Sequence, residues 1–428
     1  MKKILFCSLV LSSFAMTAAA QSGTNSPYSQ FGMGVLSDQS QGFNRGMNGL
    51  SMGLRYSNQV NFLNPASYSA VDSLTMIFDI GLSGQVTNFT ENGRKLNANN
   101  SNFEYIVASF RALPRLGVSA GMVPFTNVGY NYSNVENVGS STTSSTTLYS
   151  GSGGVHQAFL GLGYKVWRGL SVGANLSYFW GSTERSIYVT NSDKYVNTVS
   201  KSYSSSISSY KLDLGVQWEQ PLREGDNLVV GATYSLGHRL NGNADMTMTT
   251  LNNETAVSKT VTETVEDAYS LPHAIAVGAT WQHGRSLTLG LDYSWQKWGS
   301  LDTPETDIAT GKFISKSGLL KDRHKLTIGG EWVPNPVSRY YFKRVHYRFG
   351  ASANTPYIKV NGQDGPKEYS VSAGFGFPIS NSYNNRSLLN ISGQWVHAAA
   401  DGLITENTYR INIGITFNER WFMKWKVK

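Results

Sequence analysis

The chain has 428 residues, with 36 lysines and arginines against 28 aspartates and glutamates, a formal charge of +8. Charged residues make up only 15%, aromatics reach 12%, glycine contributes 43 residues and the mean hydropathy is −0.26. Plentiful aromatic and β-branched side chains exclude a disordered chain, and no apolar run after residue 20 is long enough for a transmembrane helix. What remains is a large all-β protein in water or a barrel in an outer membrane.

In chain order, Lys2 and Lys3 form a basic start, 4–16 are apolar, and Ala18, Ala19 and Ala20 precede Gln21. That is a secretory signal peptide over 1–20, cleaved near Ala20, too short to span a bilayer. Cys7, the sole cysteine, leaves with it, so disulfides, thiolate metal sites and cysteine nucleophiles are excluded from the processed chain. Residues 21–72 follow, rich in Gly, Ser, Asn and Met and without a sustained period of 2 or 3.6.

From 73 onward apolar and polar residues alternate strictly, as in Leu287, Leu289, Leu291, Tyr293 and Trp295 against Thr288, Gly290, Asp292 and Ser294. The apolar faces repeatedly end in an aromatic: Tyr164, Tyr178, Trp218, Tyr234, Trp281, Trp295, Trp332 and Trp395. An amphipathic ring is stable where hydrocarbon meets headgroups, so this pattern places the apolar face against lipid and the Gly/Ser/Thr/Asn face toward a filled lumen. Tight turns at 113–115, 167–169, 223–227 and 283–284 alternate with long Ser/Thr/Asn-rich links at 136–151, 181–206, 240–266 and 299–317. Short periplasmic turns and long outer loops give that asymmetry. The count is about 14 strands, an even number as closure with both termini in the periplasm requires. The final alternation at 409–417, followed by Trp421 and Phe422, has the form of a sorting signal for barrel-insertion machinery, and a basic tail to Lys428 follows it. The expected architecture is therefore an all-β, transmembrane antiparallel barrel over 73–428, with 21–72 as an N-terminal plug (hatch) in its lumen.

Two short motifs resemble the FadL/TodX family of outer-membrane transporters for hydrophobic compounds. One is the small-residue run at 45–53, containing Arg45, Gly46, Gly49 and Gly53, which leads to Asn64-Pro65-Ala66. The other is Pro124-Phe125 in the third strand. The resemblance implies a plugged barrel and uptake of hydrophobic molecules that leave sideways into the membrane. The residues make physical sense of it. A lumen of about 14 strands needs filling, small side chains let backbone run close to a wall, and Pro65 fixes φ where the chain turns toward the first strand. Pro124 cannot donate to a strand ladder, so pairing with one neighbour fails there, which points to a lateral opening at Pro124 and Phe125 or to fraying above the bilayer. The long outer links, such as the Ser/Thr tract at 140–147, are polar where the family's capture loops are apolar. The resemblance also extends to shuttle and accessory barrels of envelope secretion and assembly machines, whose loops bind partner proteins.

Enzymatic chemistry finds no support: the seven histidines lack metal-ligand spacing, no nucleophile turn appears, and no cofactor is implied. The basic residues are dispersed, against nucleic acid as a partner. The lumen-facing charges are Asp79, Arg111, Lys211, Asp213, Asp292, Lys325, Glu331, Arg348 and Arg410, expected to pair with one another and with the plug because unpaired buried charge is costly. The reading that follows is an outer-membrane channel of a Gram-negative bacterium for passive uptake of small hydrophobic compounds, with the plug as gate and a lateral exit near the third strand. Its partners would be outer-membrane lipid, those compounds and barrel-insertion machinery. The alternative is a non-transporting barrel that scaffolds or assists other envelope proteins through its outer loops.

Overall fold

The computed structural model describes residues 23–138, 143–193, 195–307, 310–379 and 387–420. The expected leader at 1–20 and the tail beyond 420 lie outside the described residues. Fourteen long strands follow one another in the chain. They are β1 (Thr75–Glu91), β2 (Arg94–Leu113), β3 (Leu116–Val138), β4 (Thr143–Lys165), β5 (Leu170–Asn191), β6 (Thr198–Arg223) and β7 (Asp226–Ser235). The second half comprises β8 (Ala274–His283), β9 (Leu287–Gln296), β10 (Arg323–Trp332), β11 (His346–Asn354), β12 (Lys367–Ile379), β13 (Ser387–Ala399) and β14 (Thr405–Arg420). Each pairs antiparallel with the next, and β1 pairs with β14 from Thr75↔Arg420 to Thr90↔Thr405, closing the ring. Closure leaves no sheet edge at the ends, the condition under which strands can cross hydrocarbon.

The burial pattern is the inverse of a soluble protein's. Along β5, Ser171, Asn175 and Ser177 are buried while Val172, Leu176 and Tyr178 are exposed. The same inversion runs through β14, where Asn412 and Thr416 are buried between exposed Ile411, Ile413 and Phe417. Apolar side chains point away from the ring because their solvent is lipid, and the polar alternates point inward because they have protein to bond. No described helix is long and apolar enough to cross a membrane.

The ring is uneven in height. β8 to β11 have 9 or 10 residues, about what a tilted strand needs to cross a bilayer. β3 to β6 have 22 to 26 residues. The expectation of irregular loops at 136–151 and 181–206 is corrected here: among the described residues these are largely continuations of the strands. The upper part of β6 then pairs with Ala244–Leu251, which pairs with Ser258–Val265. With β3 at 131–138 as its other margin, this makes a six-stranded antiparallel sheet standing on the loop-bearing end of the barrel. Ser258–Val265 has one strand partner; its first five residues are exposed, while Glu263 accepts the Phe313 N–H and Val265 packs against an apolar core over the mouth.

The remaining links at that end are not simply solvated either. They fold over the mouth around an apolar core of Val155, Phe179, Ile207, Met246, Trp298, Phe313 and Tyr357. Trp298 and Tyr357 pack at 4.8 Å between ring centroids, and both are essentially buried. Tyr28 and Met33, from the N-terminal segment, complete the core.

That segment, 23–72, has little regular structure, and its few elements have local causes. Pro27–Gln30 and Pro65–Ala70 are 3-10 turns, each opened by a side-chain cap (Ser26 and Asn64) with proline in the first position. Gly42–Arg45 is a single helical turn in which the Gln41 N–H donates to Asn44 Oδ1 at 2.7 Å. The segment bonds to strands on opposite sides of the ring, Arg45 to Asn412 and Ser51 to Asp292.

Candidate functional site

The interior of the ring holds the dense polar chemistry of this chain, and the N-terminal segment organises it. Arg45 is buried and makes four hydrogen bonds. Its Nη2 meets Glu104 Oε2 at 2.7 Å and the Asp38 carbonyl at 2.7 Å, Nη1 meets Asn412 Oδ1 at 2.8 Å, and Nε meets the Ser40 carbonyl at 3.2 Å. One side chain thus ties β2 to β14 through the segment. Glu104 reaches it because β2 carries a bulge opposite Gly81 and Leu82, which turns the consecutive residues Glu104 and Tyr105 both inward. Tyr105 then accepts the Gly42 N–H at 2.6 Å and donates to Asp79 at 3.0 Å.

Further along, Asn48 donates to Ser352 and Ser370 at 2.8 and 2.7 Å and accepts from Gln394 at 2.8 Å. The backbone N–H groups of Ser51 and Met52 both donate to Asp292 Oδ2, at 2.6 and 2.9 Å. Gln217 donates to the Met52 and Leu54 carbonyls, and Asn64 donates to the Met52 carbonyl at 2.9 Å. Tyr68 and Ser69 bond to Asn175 and Ser171 of β5. Pro65 and Ala66 lie buried against β5, where a Cβ on Gly173 would come within 2.5 Å of backbone on either side. Gly53 and Gly231 face the same crowding: a Cβ at Gly231 would lie 1.9 Å from the Met52 carbonyl oxygen. Gly46 lies against Arg348 and Gly374, while Gly49 has φ +86° and stands beside Lys325.

The inward charges occupy defined environments. Lys211 meets Asp213 at 2.5 Å, and Ser235 also donates to Asp213. Arg348 bonds Glu331 at 2.6 Å and Asn390 at 2.6 Å, and Tyr56 reaches the same carboxylate. Arg410 spans Gln85 and Gln394 at 2.9 and 3.3 Å. Arg111 Nε is buried without a hydrogen bond, as is Arg348 Nη2, and Arg111 stands near Arg55, whose own counter-ion is Glu219 at 3.6 Å. Burial alone would push the Asp38 carboxyl up, but Arg45 and Lys325, with bonds from Ser40, hold it well below the ordinary carboxylate range. Between segment and wall lies a cavity of about 320 Å³ whose lining is about half apolar, with Phe62, Phe125 and Trp298, and half polar, with Asp38, Asp213 and Lys325.

Pro124 and Phe125 lie at a seam. β2 and β3 are paired only from Leu113↔Leu116 to Ile106↔Met122; above that level they separate, and the β3–β4 register slips between Pro124 and Thr126. The parted edges are not bare. Val35–Leu36 pairs antiparallel with Asn127 and Thr126, the Ser37 N–H donates to the Phe125 carbonyl at 2.9 Å, and Gln39 donates to the Pro124 carbonyl at 3.2 Å. Across the seam, Asn102 of β2 donates to the Gly23 carbonyl at 2.8 Å. The Phe125 ring turns inward, 4.9 Å from Phe179 in an edge contact. Sequence reasoning did not reach Glu104, Tyr105, Asp38 or Asn175, nor the 35–39 strap along β3.

A model of the BamG family matches residues 1–428. The chain belongs to the BamG family. No curated protein matches the sequence significantly. Solved structures share the fold at low identity. A Pseudomonas aeruginosa FadL homologue aligns at a TM-score of 0.62 and 13% identity over 90% of this chain and 99% of its own. The Pseudomonas putida toluene transporter TodX aligns at 0.61 and 14% over 89% and 98%. The monoaromatic hydrocarbon channel CymD aligns at 0.58 and 14% over 92% and 100%. The FadL/TodX resemblance is therefore one of fold, while the family that spans this chain is BamG.

Proposed function

We propose that this BamG-family chain is an accessory outer-membrane barrel that docks other envelope proteins on its outer end, with the segment 21–72 as a fixed plug rather than a moving gate. The observation that carries this reading is the six-stranded sheet standing on β3 to β6. A transport conduit has no need of an ordered wall extending the strands well past bilayer height, whereas a rigid polar platform suits protein contact. The interior agrees. The mouth is roofed by the Trp298–Tyr357 core, and the lumen below is cross-linked by Arg45, Asn48 and Asp292. An apolar solute in the cavity would have to desolvate Lys325, Asp38 and their neighbours without replacing their partners. The chain would lie in the outer membrane of a Gram-negative bacterium, with both ends of the barrel sequence in the periplasm.

The test is mild extraction from native membranes with the hairpin tip at 248–261 replaced by a short Gly-Ser link. The truncated barrel should keep its heat-modifiable gel shift and lose stoichiometric partners that the full chain retains. A full chain that elutes alone, or partners retained by the truncated one, would overturn the proposal.

A second reading, uptake of small hydrophobic compounds with sideways exit, is favoured by one observation: the parted β2–β3 seam beginning at Pro124. Its route would require the strap at 35–39 to leave β3. A disulfide between Val35→Cys and Asn127→Cys, which are register partners, should abolish uptake of a hydrophobic probe on oxidation if the seam is the exit. Uptake that is absent in both redox states leaves the docking reading in place.

A further inference from the structure

Among the described residues, the turns at the end of the barrel that carries both termini are tight, except for the link between Trp332 and His346. This link is ordered. Asn335 N–H donates to the Lys343 carbonyl at 2.8 Å, Tyr341–Lys343 forms a 3-10 turn, and Val333 and Val345 at its ends are buried. Between them it exposes Val337 (79%), Tyr340 (74%) and Phe342 (73%). It also carries three cations, Arg339, Lys343 and Arg344, and no acidic residue. Lys343 and Arg344 sit over the rings of Tyr340 and Tyr341, at 5.5 and 5.6 Å. Among the described residues none of the three cations has a carboxylate partner, and Arg344 Nε is buried without a hydrogen bond.

The direction in which the link folds decides what it meets. Tyr347 lies on the lipid-facing side of β11, in one aromatic cluster with Trp332 and Phe375, and its hydroxyl donates to the Phe342 carbonyl at 3.2 Å. Tyr341 donates to the Pro378 carbonyl at the foot of β12. Phe342 is thus held against the outer wall, level with the aromatic girdle, and not beneath the lumen. Exposed apolar side chains at girdle level, with cations alongside, match the acyl–headgroup boundary of a bilayer.

We propose that this link is a binding site for anionic phospholipid in the leaflet on the termini-bearing side. Val337, Tyr340 and Phe342 enter the acyl boundary, and Arg339, Lys343 and Arg344 hold the headgroup phosphates. The inference rests on the reading of that end as periplasmic, where the leaflet is phospholipid, and is independent of the docking platform at the other end.

Native mass spectrometry of the full chain in mild detergent, titrated with dioleoylphosphatidylglycerol or dioleoylphosphatidylcholine, tests it. The wild type should retain phosphatidylglycerol preferentially. Replacing Arg339, Lys343 and Arg344 by serine should remove that preference, at about fivefold per cation. Phe342→Ser should weaken both lipids alike while sparing the selectivity. A gel shift unchanged from wild type establishes that each variant is folded. Equal retention of the two lipids by the wild type, or a preference that survives the triple replacement, overturns the site. Loss of a co-purifying protein with lipid retention unaltered would also overturn it, assigning the surface to a protein partner.

Discussion

Arg45 contributes by joining three parts of the chain: its four hydrogen bonds end on Glu104, on Asn412 and on the Asp38 and Ser40 carbonyls of its own segment. Arg45→Ala leaves Glu104 buried without its counter-ion, and such a loss costs about 3–5 kcal/mol. Thermal unfolding followed by the heat-modifiable band should show that loss, and replacing both residues by methionine should cost less than either single change. Asp38 adds a pH dependence of defined sign. Its folded pKa lies below the ordinary value, so its contribution is complete above pH about 4 and declines as the pH falls from there toward the lowered folded pKa. Protease protection of the N-terminal segment should therefore persist through mild acid and fade only below that range. Asp38→Asn should show weaker protection at neutral pH and little of that acid-dependent change. Glu104 itself was not legible in the sequence. Strict alternation assigns it to lipid, and only the bulge opposite Gly81 and Leu82 brings it inside, although a carboxylate on an otherwise apolar face is the kind of exception that signals one.

At the scale of elements, alternation made all fourteen strands readable because inside and outside differ so sharply: Ser171 and Asn175 face protein, Val172 and Leu176 face lipid. The same signal vanishes in the upper parts of β3 to β6. There the outward face meets water instead of lipid, Ser, Thr, Asn and charged residues take positions on both faces, and the strands pass for loops. The roof over the mouth was hidden for a related reason. Trp298, Phe313 and Tyr357 are single apolar residues in polar links, without a period to connect them. The close approach of segment and wall yields a sharp prediction. Gly231→Val drives a side chain into the Met52 carbonyl, so the segment should become protease-sensitive while the barrel keeps its gel shift. Gly393→Val, where a Cβ meets nothing within 4 Å, should change neither.

For the whole molecule, β1 and β14 are the first and last strands, and they are hydrogen-bonded along sixteen register positions. No smaller part of the ring is complete, so the barrel can close only once the last strand has joined the first. Until the C-terminal strand arrives, both flanks of the growing sheet stay unsatisfied, and contacts of maximal sequence separation must form late. Until then the outward leucines, valines and tryptophans lie on a sheet with unpaired flanks, the condition that favours aggregation. Truncation ahead of Thr405 should leave a polypeptide consigned to degradation, never a shorter barrel.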